Sequence, residues 1–176
     1  DYLKSTGQYD HTIFIFTSDN GSEASGGDTP RHPLMQLALS VQGYNNDYDT
    51  LGLKGRFNTI GPSFASASAA PLAYYKFYAG EGGMRVPLIV AGASIPAEPR
   101  LSNAFAYVTD ITPTILDMAG VSTPASHYGG RPVEAVTGRS LLPLIRGDVE
   151  AMYTPTDTTG YELGGNAALF QGDYKI

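Results

Sequence analysis

Two side chains with hard oxygen donors stand next to each other at Asp19-Asn20, shortly after the apolar run Ile13-Phe14-Ile15-Phe16 and before Gly21. A carboxylate and an amide oxygen are ligands that Ca²⁺ or Mg²⁺ takes, and open α/β sheets hold ligands beyond the C-terminal ends of their strands. Two donors do not fill a shell of ~6 to 8 oxygens, so further ligands must come from elsewhere. Taken alone, Asp-Asn-Gly reads as an Asx turn that ends a strand. Lys76 is the next candidate, a cation inside Tyr74-Tyr75-Lys76-Phe77-Tyr78. An ammonium escorted by rings suits an anionic ester in a partly desolvated site; a surface lysine laying its stem over apolar neighbours looks the same in sequence. Glu81-Gly82-Gly83 offers a turn in which absent Cβ atoms permit a close backbone approach. His11, His32 and His127 share no spacing that suggests a metal pair or a nucleophile with its base, and Arg85 and Arg139 read as ion-pair partners. With 0 Cys, the chain offers no thiolate ligand, disulfide or cysteine nucleophile.

The elements that must position these residues are partly legible. Asp1 to Thr6 reads as the last turns of a helix that Gly7 caps. His11 to Thr17 is β-branched and aromatic without clear alternation, which predicts a buried, parallel strand covered on both faces. From Ser22 to about Ala70 the chain is rich in Gly, Ser, Asn and Asp, with one apolar stretch, Pro33 to Val41, that predicts a short helix. So long an excursion inside a compact domain points to an active-site wall. Ala69 to Tyr78 predicts a short helical or extended stretch, Gly80 to Gly83 a tight turn, and Met84 to Val90 a second buried strand. Asp110 holds an N-cap place before Ile111, Ile115, Leu116, Met118 and Ala119 at helical spacing; Pro113 falls in the tolerated first turn and Gly120 stops the helix. Ser122 to Thr137 reads as loop and Arg139 to Ile145 as a short apolar segment interrupted by proline. Gly160 to Ile176 reads as antiparallel strands turning at Gly164-Gly165 and at Gln171-Gly172-Asp173.

Composition bounds the partners. Lys and Arg total 11 against 17 Asp and Glu, a net charge of -6, without the basic footprint that attracts phosphate backbones, so no nucleic-acid partner is expected. The longest apolar runs fall far short of the ~20 residues that span a bilayer, so no membrane partner is expected either. A hydrophobic content of 42% suffices for a core. The compartment stays open between cytoplasm and periplasm.

The order of the motifs carries more than any one of them. Phe14 to Gly21 is followed by Lys76 and then by Glu81-Gly82-Gly83-Met84-Arg85-Val86-Pro87-Leu88-Ile89-Val90. Thr109-Asp110-Ile111-Thr112-Pro113-Thr114-Ile115-Leu116-Asp117-Met118-Ala119-Gly120 and Gly138-Arg139-Ser140-Leu141-Leu142-Pro143-Leu144 come after them. Together they resemble the sulfatase family, bacterial arylsulfatases in particular, in the second half of the catalytic domain. The resemblance implies an α/β, three-layer alkaline-phosphatase-like fold with a mostly parallel mixed sheet, incomplete here. It places 1–150 in the C-terminal part of the catalytic domain and 151–176 at the start of a small antiparallel subdomain. By motif position it implies that Asp19 and Asn20 are metal ligands, to Ca²⁺ before Mg²⁺, and that Lys76 contacts the sulfate and the leaving group of a small-molecule sulfate ester.

The departures point to a fragment. The family nucleophile is a formylglycine made from the cysteine or serine of a C/S-x-P-x-R motif, accompanied by an Asp-Asp metal pair and further lysine and histidine residues; all are expected upstream of residue 1. Ser94-Ile95-Pro96-Ala97-Glu98 has glutamate where that motif has arginine, and it lies on the wrong side of Asp19-Asn20, so it reads as a loop. The expected activity is sulfuric ester hydrolysis by the parent protein. The alternatives are a phosphodiesterase or phosphonate monoester hydrolase of the same superfamily, or a non-catalytic metal-binding scaffold.

Overall fold

A computed structural model of the protein describes residues 1–24, 33–45, 47–93, 95–96 and 98–176. In chain order the elements begin with α1 (Tyr2–Ser5), β1 (Ile13–Thr17), α2 (Pro33–Val41), α3 (Gly61–Ala69), α4 (Glu81–Met84) and β2 (Leu88–Gly92). They continue with α5 (Ile111–Met118), β3 (His127–Tyr128), β4 (Arg131–Pro132), α6 (Leu142–Arg146), β5 (Thr158–Leu163), β6 (Asn166–Gln171) and β7 (Tyr174–Lys175). Helices and strands interleave, as an α/β chain requires. Two compact units emerge: Asp1–Thr17, Leu88–Thr159 and Leu169–Ile176 form the first, Ser18–Pro87 and Gly160–Ala168 the second.

In the first unit β1 and β2 pair antiparallel, from Ile13 opposite Gly92 to Thr17 opposite Leu88. This differs from the buried, parallel strand expected over His11–Thr17 and from the second buried strand expected over Met84–Val90. β1 alternates, with Ile13, Ile15 and Thr17 half-buried and Phe14 and Phe16 exposed, and β2 begins only at Leu88. A parallel partner needs a connection that carries the chain back to the opposite end of the first strand. The excursion between these strands closes on itself instead: the Gly21 N–H donates to the Gly83 carbonyl at 3.0 Å, so the chain re-enters at the end where it left. The β3–β4 and β6–β7 pairs are also antiparallel, and β5, β6 and β7 lie in that order in one small sheet. The mostly parallel sheet is therefore not formed by the strands among the described residues.

α5 follows its sequence signals closely. Gly120 takes a left-handed φ of 67° and donates to the Asp117 carbonyl at 3.0 Å, while Val121 N–H reaches the Leu116 carbonyl at 2.9 Å. Those two bonds satisfy the last orphan carbonyls of the helix, in a geometry that glycine adopts without a Cβ penalty. On its inner side Pro113 and Thr114 are buried, as are Leu141, Leu142 and Leu144 around α6. The segment Arg139 to Ile145 thus becomes a short helix with Pro143 in its first turn. Thr114 joins the two: its hydroxyl donates to the Asp110 carbonyl at 2.6 Å and accepts from the Leu141 N–H at 2.8 Å.

In the second unit α2 spans the predicted Pro33–Val41. α3 was not expected, because Gly61-Pro62-Ser63-Phe64-Ala65-Ser66-Ala67-Ser68-Ala69 lacks an apolar stripe of large residues. It buries Gly61 and Ala65 instead, with half-buried Ala69 continuing that row at i+4 spacing. The predicted tight turn at Gly80 to Gly83 is a single helical turn, α4, in contact with α3. Small residues on both elements are what permit that contact.

Candidate functional site

The turn after β1 is organised by its own polar side chains. Ser18 Oγ donates to the Asn20 carbonyl at 2.8 Å, and the Asn20 side-chain amide donates to the Gly21 carbonyl at 2.8 Å. That bond uses the nitrogen end of the Asn20 amide and leaves its oxygen end for another partner. Asp19 is exposed and Asn20 half-buried. Both oxygen types would suit a hard cation, as two of the ~6 to 8 ligands such an ion takes. No group of three or more His, Cys, Asp or Glu gathers in metal-binding geometry among the described residues.

Two backbone bonds stitch this turn to the segment that carries Lys76. Besides the Gly21 to Gly83 bond, the Lys76 N–H donates to the Ser22 carbonyl at 2.9 Å. The glycines explain how the backbones come so close. A Cβ on Gly21 would stand 1.8 Å from the Gly82 carbonyl oxygen, one on Gly82 2.1 Å from that of Tyr74, and one on Gly83 2.4 Å from that of Tyr75. The Glu81-Gly82-Gly83 triplet is thus more than a tight turn, since it lets three backbone segments meet. The expected short helical or extended stretch over Ala69 to Tyr78 is only the end of α3 followed by turns. Tyr74 at φ 66° and Phe77 at φ 79° take left-handed conformations there, a strained state for aromatic residues, on either side of Lys76. The Tyr74 ring stacks on Tyr78 at 5.2 Å, and Tyr75 meets Tyr78 edge-on at 5.2 Å.

Lys76 Nζ lies 2.6 Å from Glu23 Oε2 and 5.3 Å from the centre of the Phe77 ring. Its pKa is raised, first by the hydrogen bond to Glu23 and further by the charges of Glu23 and Asp19, against a partial loss of hydration. The structure therefore places Asp19, Asn20 and Lys76 in one stitched assembly and adds Glu23, which sequence reasoning missed. The available signal for Glu23 was weak: an acid two residues past Asp-Asn-Gly in a polar stretch.

A second charged cluster belongs to the first unit. Asp110 sits at the N-terminus of α5 as predicted, yet its side chain does not cap that helix. The fully buried carboxylate accepts the Tyr107 N–H at 2.7 Å on Oδ2, and the Arg139 N–H at 2.9 Å and the Tyr153 hydroxyl at 2.7 Å on Oδ1. Arg139 is the ion-pair partner its sequence suggested, holding Asp157 with two guanidinium nitrogens, Nη1 to Oδ2 at 2.9 Å, and lying 4.4 Å over the Tyr153 ring. Burial raises the Tyr153 hydroxyl, with help from its bond to Asp110; Arg139, then the Thr154 N–H, hold Asp157 well below the usual carboxylate range. Arg85 makes no ion pair among the described residues. His11 is exposed, His127 meets Ser126 Oγ at 3.1 Å, and His32 and Ser94 lie outside the described residues.

Comparison with known proteins places the same residues in a family. The chain is 35% identical over 176 residues to an uncharacterized sulfatase of Schizosaccharomyces pombe, covering 99% of this chain and 31% of that protein. It is 31% identical over 144 residues to an arylsulfatase of Klebsiella aerogenes, covering 79% of this chain and 29% of that protein. A multifunctional alkaline phosphatase superfamily protein, PehA of Trinickia caryophylli, is 28% identical over 145 residues, covering 82% of this chain and 18% of its own length. The chain spans about a third or less of the length of these curated relatives. The sulfatase family model matches residues 1–121, a range that holds Asp19, Asn20, Glu23, Lys76 and the glycine triplet, and the chain belongs to the sulfatase family.

Proposed function

We propose that the full-length protein carrying this chain hydrolyses small-molecule sulfate esters in the manner of an arylsulfatase. The observation that supports this most is the stitched assembly itself: Gly21 to Gly83 and Lys76 to Ser22 backbone bonds hold an oxygen-donor turn beside a protonated lysine. Asp19 and Asn20 would hold a divalent cation, calcium before magnesium, through the carboxylate and the amide oxygen. When bound, that ion supplies Lewis-acid polarisation and positions an anionic group. Lys76 presents N–H donors to the sulfate and stabilises the negative charge that grows on the bridging oxygen as its bond to sulfur breaks. A lysine ammonium is charged through the neutral range, and the pairing with Glu23 raises its pKa further. The nucleophile is a formylglycine contributed by another part of the protein. Hydrolysis then consumes one water and yields an alcohol or phenol and sulfate.

The PehA relationship favours a second reading, hydrolysis of phosphodiesters or phosphonate monoesters, because a hard cation and a lysine serve phosphoryl and sulfuryl groups alike. Turnover of matched aryl sulfate and aryl phosphate esters by the full-length protein decides between them: sulfate preference is expected, and phosphate preference would overturn the first reading. Calcium titration of the full-length protein and of its Asp19→Ala variant tests the metal assignment. Weaker binding in the variant is expected; equal affinity, or no binding by either, would leave a scaffold without this metal chemistry.

A further inference from the structure

We infer that Glu23 is a positioning residue for Lys76, setting where its ammonium meets the anionic ester; this inference rests on the sulfate-ester reading above. Lysine carries its charge on a flexible four-carbon stem, so a site that uses it must restrain the stem. Here the restraint comes from two consecutive residues: Ser22 accepts the Lys76 backbone N–H at 2.9 Å, and Glu23 accepts from Nζ at 2.6 Å. The Phe77 ring, 5.3 Å from Nζ, bounds the ammonium with an aromatic surface. An ammonium has three N–H donors, and a single bond to Glu23 fixes its position while others remain for a substrate oxygen.

Both side chains are partly exposed, 31% for Lys76 and 37% for Glu23, and pairs of that kind contribute little to stability. The use of the pair is therefore geometric. Correct placement of a reacting group changes rate steeply with small displacements. The Glu23 carboxylate also repels an approaching sulfate ester, which gives the positioning role a distinctive signature: its removal costs turnover without weakening substrate binding.

The test compares Lys76→Ala, Glu23→Gln and Glu23→Asp in the full-length protein with an aryl sulfate, after circular dichroism has shown that each is folded. Lys76→Ala should lose about 100-fold or more in kcat/KM. Glu23→Gln keeps the size of the side chain and should lose about 10-fold in kcat with KM unchanged or lower. Glu23→Asp should recover part of that loss by restoring the charge. If Lys76→Ala is impaired while Glu23→Gln keeps the wild-type kcat, the positioning role is wrong and the sulfate reading stands. A Glu23→Gln variant whose KM rises as kcat falls, with no recovery in Glu23→Asp, shows only structural damage and likewise overturns it. Wild-type turnover in Lys76→Ala overturns the underlying reading of the site.

Discussion

The two charged clusters of this molecule, one around Asp110 and one around Lys76, differ in how completely the protein answers its own polar groups. Asp110 is fully buried and accepts from Tyr107, Arg139 and Tyr153, while the neighbouring Arg139 is taken up by Asp157 and the Met152 carbonyl. Lys76 and Glu23 are partly exposed, and Asp19, four residues before Glu23, is exposed. A buried polar network is tolerable only when its members are satisfied, and when satisfied it holds the local structure in one arrangement. The site proposed above, which would take an anion and a cation, calls instead for charged groups that solvent and ligand can reach. The cluster around Asp110 is closed within the protein, whereas the one around Lys76 keeps charged groups partly exposed, as the proposed site requires.

That contrast is breakable. Asp110→Ala should cost about 3 kcal/mol or more in the free energy of unfolding measured by urea denaturation of the full-length protein, because three half-buried donors lose one fully buried acceptor together. A loss under about 1 kcal/mol would mean that water replaces the carboxylate and that the cluster is more open than its geometry shows. Gly21→Ala should cost about 2 kcal/mol and much of the turnover, since its Cβ would meet the Gly82 carbonyl at 1.8 Å and force the two stitched segments apart. Unchanged activity in that variant would detach the glycine contact from the site.

Smaller effects sharpen the comparison. Thr114→Val keeps the shape but strands the Leu141 N–H, and should cost about 1 to 2 kcal/mol in the same denaturation experiment, with turnover retained. The Arg139 to Asp157 pair contributes stability that is fully present above the unfolded carboxylate value of 3.8 and is lost as pH falls through the much lower folded value. The gap in unfolding midpoint between wild type and Asp157→Asn should therefore be constant near neutrality and shrink below about pH 4. The smallest effect on stability belongs to the other cluster: Lys76→Ala should leave the unfolding midpoint where it is in the wild type while removing activity.

Legibility in the sequence followed the range of the interactions. α5 was readable because its apolar spacing, Pro113 and Gly120 all act within the helix or one turn beyond it. The hairpin turns at Gly164-Gly165 and near Gly172 were readable for the same reason. α3 was hidden because Gly61 and Ala65 pack by being small, which leaves no hydrophobic period to count. The N-cap place of Asp110 was visible, but its partners Arg139 and Tyr153 lie 29 and 43 residues away.

The types of group available for chemistry were written in the sequence by itself: hard oxygen donors at Asp19-Asn20, a ring-escorted cation at Lys76, glycines where a backbone must come close, and a motif order that belongs to one family. Composition and local spacing suffice for that, because they report residue chemistry and hydrogen bonds made within a few positions. Only the tertiary structure decided that β1 and β2 run antiparallel, that Glu23 meets Lys76, and that Asp110 faces inward to meet Arg139 and Tyr153, both far along the chain. Those outcomes depend on where a closed excursion returns the chain and on which distant donors burial leaves beside a carboxylate, and neither quantity is a property of any short stretch of residues.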